Sequence, residues 1–141
     1  IPHIEKGIRE SLEGGYLKGY PIVDIEVVLT GGACEEGKSS ELGFSVCGAM
    51  ALKEALKSAN MALLEPIMAV EVFVPDANMG DAIADLNTRG GKVESINSKA
   101  DIQVVKAVVP LARMFGYSTA LRSATQGRGT FTMQFRSFDK V

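Results

Sequence analysis

The run Gly32-Ala33-Cys34-Glu35-Glu36-Gly37-Lys38-Ser39 matches the spacing G-x-x-x-x-G-K-[ST] of a phosphate-binding loop. Such a loop turns backbone N–H groups and a lysine toward phosphates and places its hydroxyl on magnesium. Here it follows an alternating apolar segment and precedes a long amphipathic one, which is the strand–loop–helix context the chemistry needs. Two carboxylates, Glu35 and Glu36, occupy the loop itself. A carboxylate about 6 Å from a phosphate charge costs on the order of 2–3 kcal/mol at an effective dielectric near 20. A nucleotide fold also needs several parallel strands, one of them ending in a metal-binding Asp, and no such series follows. The residues spell the loop, and their charges argue against it.

Other residues able to meet phosphate are scattered cations. Arg128 sits in Gly127-Arg128-Gly129 ahead of the final apolar segment, where a turn can present it to a phosphate. Arg89 and Lys92 flank Gly90-Gly91 at the end of a helical stretch, where cations also complement the helix dipole. The plain reading of all three is solvated charge. His3 is the single histidine and lies near the amino end, while Cys34 and Cys47 lack CxxC spacing, so neither a metal site nor a nucleophile–base pair is expected.

The elements that must position these groups fall into two sets. Residues 1–64 read helix, strand, helix. Ile4, Ile8 and Leu12 recur every four positions over Pro2–Glu13, ended by Gly14-Gly15. Ile22–Thr30 alternates, with Val23, Ile25, Val27 and Leu29 on one face. Ser39–Ala59 carries Leu42, Val46, Met50 and the Leu52/Leu56 pair, with Ser39 as the expected N-cap and Glu41 suited to the dipole. A single strand cannot satisfy its own backbone, so this unit is expected to need strands from outside the sequence. An unpaired edge also invites a second copy, by dimerisation or strand exchange.

Residues 65–141 read strand, helix, strand, strand, helix, strand, over Ile67–Val74, Met79–Thr88, Lys92–Ile96, Ile102–Val109, Leu111–Ser123 and Thr130–Phe135. Two βαβ halves joined by a hairpin predict a ferredoxin-like βαββαβ sandwich, with both helices on one sheet face and the other face free. Met79, Ile83 and Leu86 form one core stripe, Met114, Ser118 and Leu121 another. Phe131, Met133 and Phe135 alternate on the last strand and are expected to pack beneath the helices. The Arg-Gly run before aromatics is not an RNA-binding strand of the RRM type, because Thr130 and Thr132 fall where aromatics should lie.

At 46% hydrophobic content the 141 residues can build a core, and a net charge of −2 excludes a global basic field for nucleic acid. Residues through Leu64 carry −3 and those from Glu65 carry +1, so any nucleic-acid partner is met locally and by shape. No apolar run approaches the roughly 20 residues of a membrane span and no signal segment opens the chain. A soluble, cytoplasmic protein is expected. The first residue is Ile1 and not Met, which reads as a piece of a longer protein.

Several ordered motifs resemble elongation factor G. Leu63-Leu64-Glu65-Pro66-Ile67-Met68, Met79-Gly80-Asp81, Asp85-Leu86-Asn87, Met114-Phe115-Gly116-Tyr117, Leu121-Arg122-Ser123 and Thr125-Gln126-Gly127-Arg128-Gly129 are similar to that factor's last domain. Glu5-Lys6-Gly7-Ile8, Gly19-Tyr20-Pro21 and Ser39-Ser40-Glu41 resemble the second half of its fourth. The resemblance implies a partial ribosomal-protein-S5-domain-2-like α/β unit over 1–64 and a ferredoxin-like fifth domain over 65–141, an α+β chain in all. It implies a translational GTPase whose fourth domain enters the small subunit's decoding site with tRNA and mRNA, and whose fifth touches the large subunit. GTP and magnesium would belong to an upstream domain, leaving no cofactor and no catalytic residue here.

The same resemblance makes Gly31, Gly32, Glu35, Glu36 and Lys38 part of a ribosome-contacting tip loop, and Arg89, Lys92 and Arg128 prospective ribosomal RNA contacts. One departure stands out. Members of the family commonly carry Tyr-His-Asp where this chain has Cys34-Glu35-Glu36. A glutamate offers RNA only acceptors and a repelled charge, which implies a divergent paralogue. Two other readings compete: a nucleotide-binding protein built on Gly32–Ser39, and a stand-alone ferredoxin-like regulatory module.

Overall fold

The computed structural model describes all of Ile1–Val141, and the chain divides into two compact units, Ile1–Leu63 and Leu64–Val141.

The first unit is a pair of packed helices, α1 (Pro2–Gly14) and α2 (Glu41–Lys57). Pro2 opens α1 where its missing N–H costs nothing, and ion pairs Arg9–Glu5 (2.7 Å) and Lys6–Glu10 (3.9 Å) run along its exposed side. The Gly15 N–H closes the helix on the Ser11 carbonyl at 3.1 Å. Helix α2 is capped by Ser40, whose Oγ accepts from the Gly43 N–H at 3.0 Å, and not by Ser39 as the sequence predicts. The two helices meet backbone to backbone. A Cβ on Gly7 would lie 2.0 Å from the Ser45 carbonyl oxygen, and one on Gly48 would lie 2.8 Å from that of Ile4. Ser45 Oγ adds a hydrogen bond to the His3 carbonyl at 2.9 Å.

This crossing buries only one stripe of α2. Leu52 and Leu56 are buried with Gly48, while Leu42, Val46 and Met50 on the neighbouring stripe are exposed. The expected strand Ile22–Thr30 does not form, because no other segment of the unit offers it a ladder. Val23, Ile25, Val27 and Leu29 are exposed in turn. The α/β reading of this unit therefore reduces, in this chain, to its helices.

The second unit is the predicted sandwich. Its elements are β1 (Leu64–Pro75), α3 (Met79–Thr88), β2 (Lys92–Lys99), β3 (Ile102–Pro110), α4 (Tyr117–Thr125) and β4 (Thr130–Lys140). The strands form one antiparallel sheet in the order β2-β3-β1-β4. Register places Val70 and Val72 of β1 opposite Ala107 and Val105 of β3, and all four are buried on the helix side. Leu86 and Ala82 of α3, Tyr117 and Leu121 of α4, and Met114 close the core over them.

The opposite sheet face is mixed, with Phe73, Val104 and Val108 beside charged pairs. Glu71 and Lys106 pair across β1 and β3 at 3.1 Å. Glu94 and Arg136, each at a bulge in an edge strand, form an ion pair.

Two expectations change in detail. The helix predicted over Leu111–Ser123 is broken: a 3-10 turn at Leu111–Arg113 and a left-handed Gly116 (φ 76°) precede α4. The core stripe of α4 is consequently Tyr117, Leu121 and Thr125, and Ser118 is exposed. On β4 only Phe131 reaches the core, meeting the Tyr117 ring edge-on at 4.9 Å between centroids. Met133 and Phe135 share its side but are exposed. The cause is length: a nine-residue helix covers about 13 Å, whereas the eleven residues of β4 span about 36 Å.

Candidate functional site

The loop Gly31–Lys38 is built on Ser39. Its Oγ accepts from the Glu35 N–H at 3.0 Å, while the N–H groups of Lys38 and Ser39 donate to the Glu35 carbonyl at 3.2 and 3.0 Å. A phosphate loop needs such amides free and pointing at the ligand. Three of them are here turned inward, and the hydroxyl that would meet magnesium is engaged with backbone. Lys38 Nζ lies 3.1 Å from Glu35 Oε2. Gly31, Gly32, Glu35, Glu36 and Lys38 are all exposed, so the loop presents one exposed, breakable ion pair and the further carboxylate of Glu36. The structure thus closes Glu35–Ser39 into one turn with no cationic surplus, and leaves Gly31 and Gly32 in the irregular segment before it.

The three cations of the second unit are not brought to one place. Arg128 is exposed at the carboxy end of α4, with Nε donating to the Thr125 carbonyl at 3.4 Å. Its turn is held by Thr125, whose buried Oγ1 donates to the Leu121 carbonyl (2.7 Å) and accepts from the Gly129 N–H (2.8 Å). Lys92 begins β2 at the other end of the sandwich, exposed and without an ion-pair partner.

Arg89 lies at that same end, but its side chain is only 18% exposed. Nε donates to Asp85 Oδ2 at 2.9 Å, and Nη1 donates to the carbonyls of Arg113 (2.8 Å) and Phe115 (3.2 Å). The guanidinium also stacks over the Tyr117 ring, 5.1 Å from its centroid. Sequence spacing reads Arg89 as a helix-end charge. The fold makes it the tie between α3 and the turn that starts α4.

Tyr117 completes this cluster. Its hydroxyl is buried without a hydrogen-bond partner. Burial, and secondarily the Asp85 carboxylate, push its pKa up to about 12 against the opposing pull of Arg89. Because the folded value exceeds the ordinary 10.0, Tyr117 adds stability that is complete below about pH 10 and lost as pH rises toward 12. Tyr117→Phe removes the orphan hydroxyl and keeps the ring. Alkaline unfolding followed by circular dichroism should show a variant at least as stable as wild type at neutral pH, with a flatter decline between about pH 10 and 12. A large loss at neutral pH would reveal a missed partner for the hydroxyl.

Sequence reasoning passed over the residues that this cluster displays. Phe115 is 79% exposed between buried Met114 and Tyr117, and Arg113 beside it is exposed with no ion-pair partner. The only signal was Gly116, a residue able to turn the chain sharply between two apolar neighbours. No group of three His, Cys, Asp or Glu side chains gathers as a metal site, and no helix is long and apolar enough to cross a membrane.

The architecture defines a class: a ferredoxin-like sandwich preceded by a helical unit, displaying charged loops and one open sheet face. Comparison with known families names it. A profile for the C-terminus of elongation factor G matches residues 62–141, and one for elongation factor G domain IV matches residues 1–60. The chain belongs to the elongation factor G family. It is also similar to a crystal structure of a protein from Thermus thermophilus, at 34% identity and a TM-score of 0.85 over 99% of this chain. The chain spans 21% of the length of that protein.

Proposed function

We propose that this chain is the ribosome-contacting part of a cytoplasmic, elongation-factor-G-like translational GTPase that promotes movement of tRNA and mRNA. The observation that carries the reading is the pair of family matches, domain IV over 1–60 followed by the C-terminus over 62–141. In this reading residues 1–64 belong to the second half of domain IV and 65–141 to domain V. GTP and magnesium are held in a domain outside this sequence. Gly31–Lys38 is the tip that enters the decoding site, and the cations of the second unit face ribosomal RNA. The inward-turned amides of Glu35, Lys38 and Ser39 count against a nucleotide site in the loop.

Sedimentation of the parent factor with ribosomes, with a non-hydrolysable GTP analogue, tests the reading. A form ending before Ile1 should lose stable co-sedimentation. Unchanged binding would place ribosome engagement elsewhere. Within the tip, Glu35→His removes the partner of Lys38 and supplies a ring and a donor. The expected result is faster single-round translocation by the full-length factor, and no gain in rate would clear this loop as the source of divergence. In the isolated chain, exposed Val23–Leu29 should support strand exchange between copies. A strictly monomeric species in concentrated ultracentrifugation samples would contradict that.

A further inference from the structure

We infer that Phe115, on a turn clamped by Arg89, beside Arg113 and at the same end of the sandwich as Lys92, is a stacking platform for an unpaired base of RNA. The inference rests on the ribosome reading above and adds to it a ligand chemistry and a place.

A single exposed phenylalanine is ordinary on a protein surface. This one is unusual in how it is held. Its neighbours Met114 and Tyr117 are buried at 6% and 1% exposure, anchoring the turn on both sides while Phe115 stands 79% exposed. Arg89 Nη1 donates to the carbonyls of both Arg113 and Phe115, at 2.8 and 3.2 Å, so the backbone that carries the ring is clamped from α3. A clamped backbone confines where the ring can reach and lowers the cost of ordering it on binding.

Two acids near the turn are already paired, while Glu65 and Asp139 lie opposite each other at the same end of the sheet. Asp85 is taken by Arg89 and Glu94 by Arg136. Lys92 and Arg113 remain exposed and unpaired. Lys92 stands opposite Val108 at the end of β3 that runs directly into the turn. The amino end of α4 starts at Gly116 with no side-chain cap, adding its positive dipole end to the same region. An acidic peptide would satisfy the cations and leave the ring face empty. An unstacked nucleotide satisfies both, with its base on the ring and its phosphates on the cations.

Binding of the 141-residue chain to purified large ribosomal subunits and, separately, to deproteinised large-subunit RNA tests this. Phe115→Ala should weaken both by about tenfold or more, Phe115→Tyr should restore binding, and thermal unfolding should be unchanged for so exposed a residue. Lys92→Ala and Arg113→Ala should each lower the slope of log affinity against log salt by about 0.7. A loss confined to intact subunits would mean a protein partner and overturn the proposal. Wild-type affinity in Phe115→Ala would overturn it while leaving the ribosome reading in place. No binding by the wild-type chain to either target would overturn both.

Discussion

Leu86→Ala is expected to cost the ferredoxin-like unit about 2–5 kcal/mol, the range for emptying a fully buried leucine site. Leu86 has no exposed surface and belongs to the core cluster of the second unit. Its surroundings are poorly able to collapse into the gap. The sheet beneath is held by ladders on both sides of β1, and α3 is tied at its carboxy end by Arg89 to the turn before α4. A domain of this size holds about 5–15 kcal/mol in total, so the loss is a large fraction of it. Urea unfolding should show a lower midpoint with an unchanged slope. A shift worth under about 1 kcal/mol would mean that the helix settles onto the sheet far more freely than the register and clamp allow.

The second large effect belongs to the helical unit. Gly7→Ala places a methyl 2.0 Å from the Ser45 carbonyl oxygen, and that atom is helix backbone with no rotamer to change. The crossing must open, and with it go the Gly48–Ile4 approach and the Ser45–His3 hydrogen bond. Overpacking of this kind typically costs about 1–3 kcal/mol. Here that is decisive, because α1 against α2 is the main tertiary contact of the first unit and no sheet supports it. Amide exchange over Pro2–Gly14 and Glu41–Lys57 should accelerate to near-unprotected rates, while the core strands of the second unit keep their protection. Protection retained in both helices would show that the crossing tolerates separation.

The order of elements in the second unit and the family were legible in the residues alone. Alternation along Ile67–Val74 and Ile102–Val109, and helical spacing over Met79–Thr88, are local signals, since a side chain's face follows from backbone period alone. The strands proved longer than read, to Lys99 and Lys140, because ladder partners extend pairing into polar residues that show no alternation. The long motifs around Met114–Tyr117 and Thr125–Gly129 carried the resemblance to elongation factor G, which the profile matches bear out.

What individual residues do was settled by packing between distant segments. Arg89 reads from sequence as a helix-end charge, and it became a clamp because the turn at Arg113–Phe115 lands within reach of its guanidinium. Glycine at 116 converts a predicted continuous helix into a turn and a shorter helix, which moves the buried stripe to Tyr117 and expels Phe115. The capping role expected of Ser39 falls to Ser40, while Ser39 closes the Gly31–Lys38 loop, and their adjacency leaves the choice to chain geometry. Ile22–Thr30 has the pattern of a strand and is none, since a ladder needs a neighbour and no periodicity can supply one. Period and propensity are properties of a segment. Partnership, exposure and the direction of a charged side chain belong to what the rest of the fold brings alongside it.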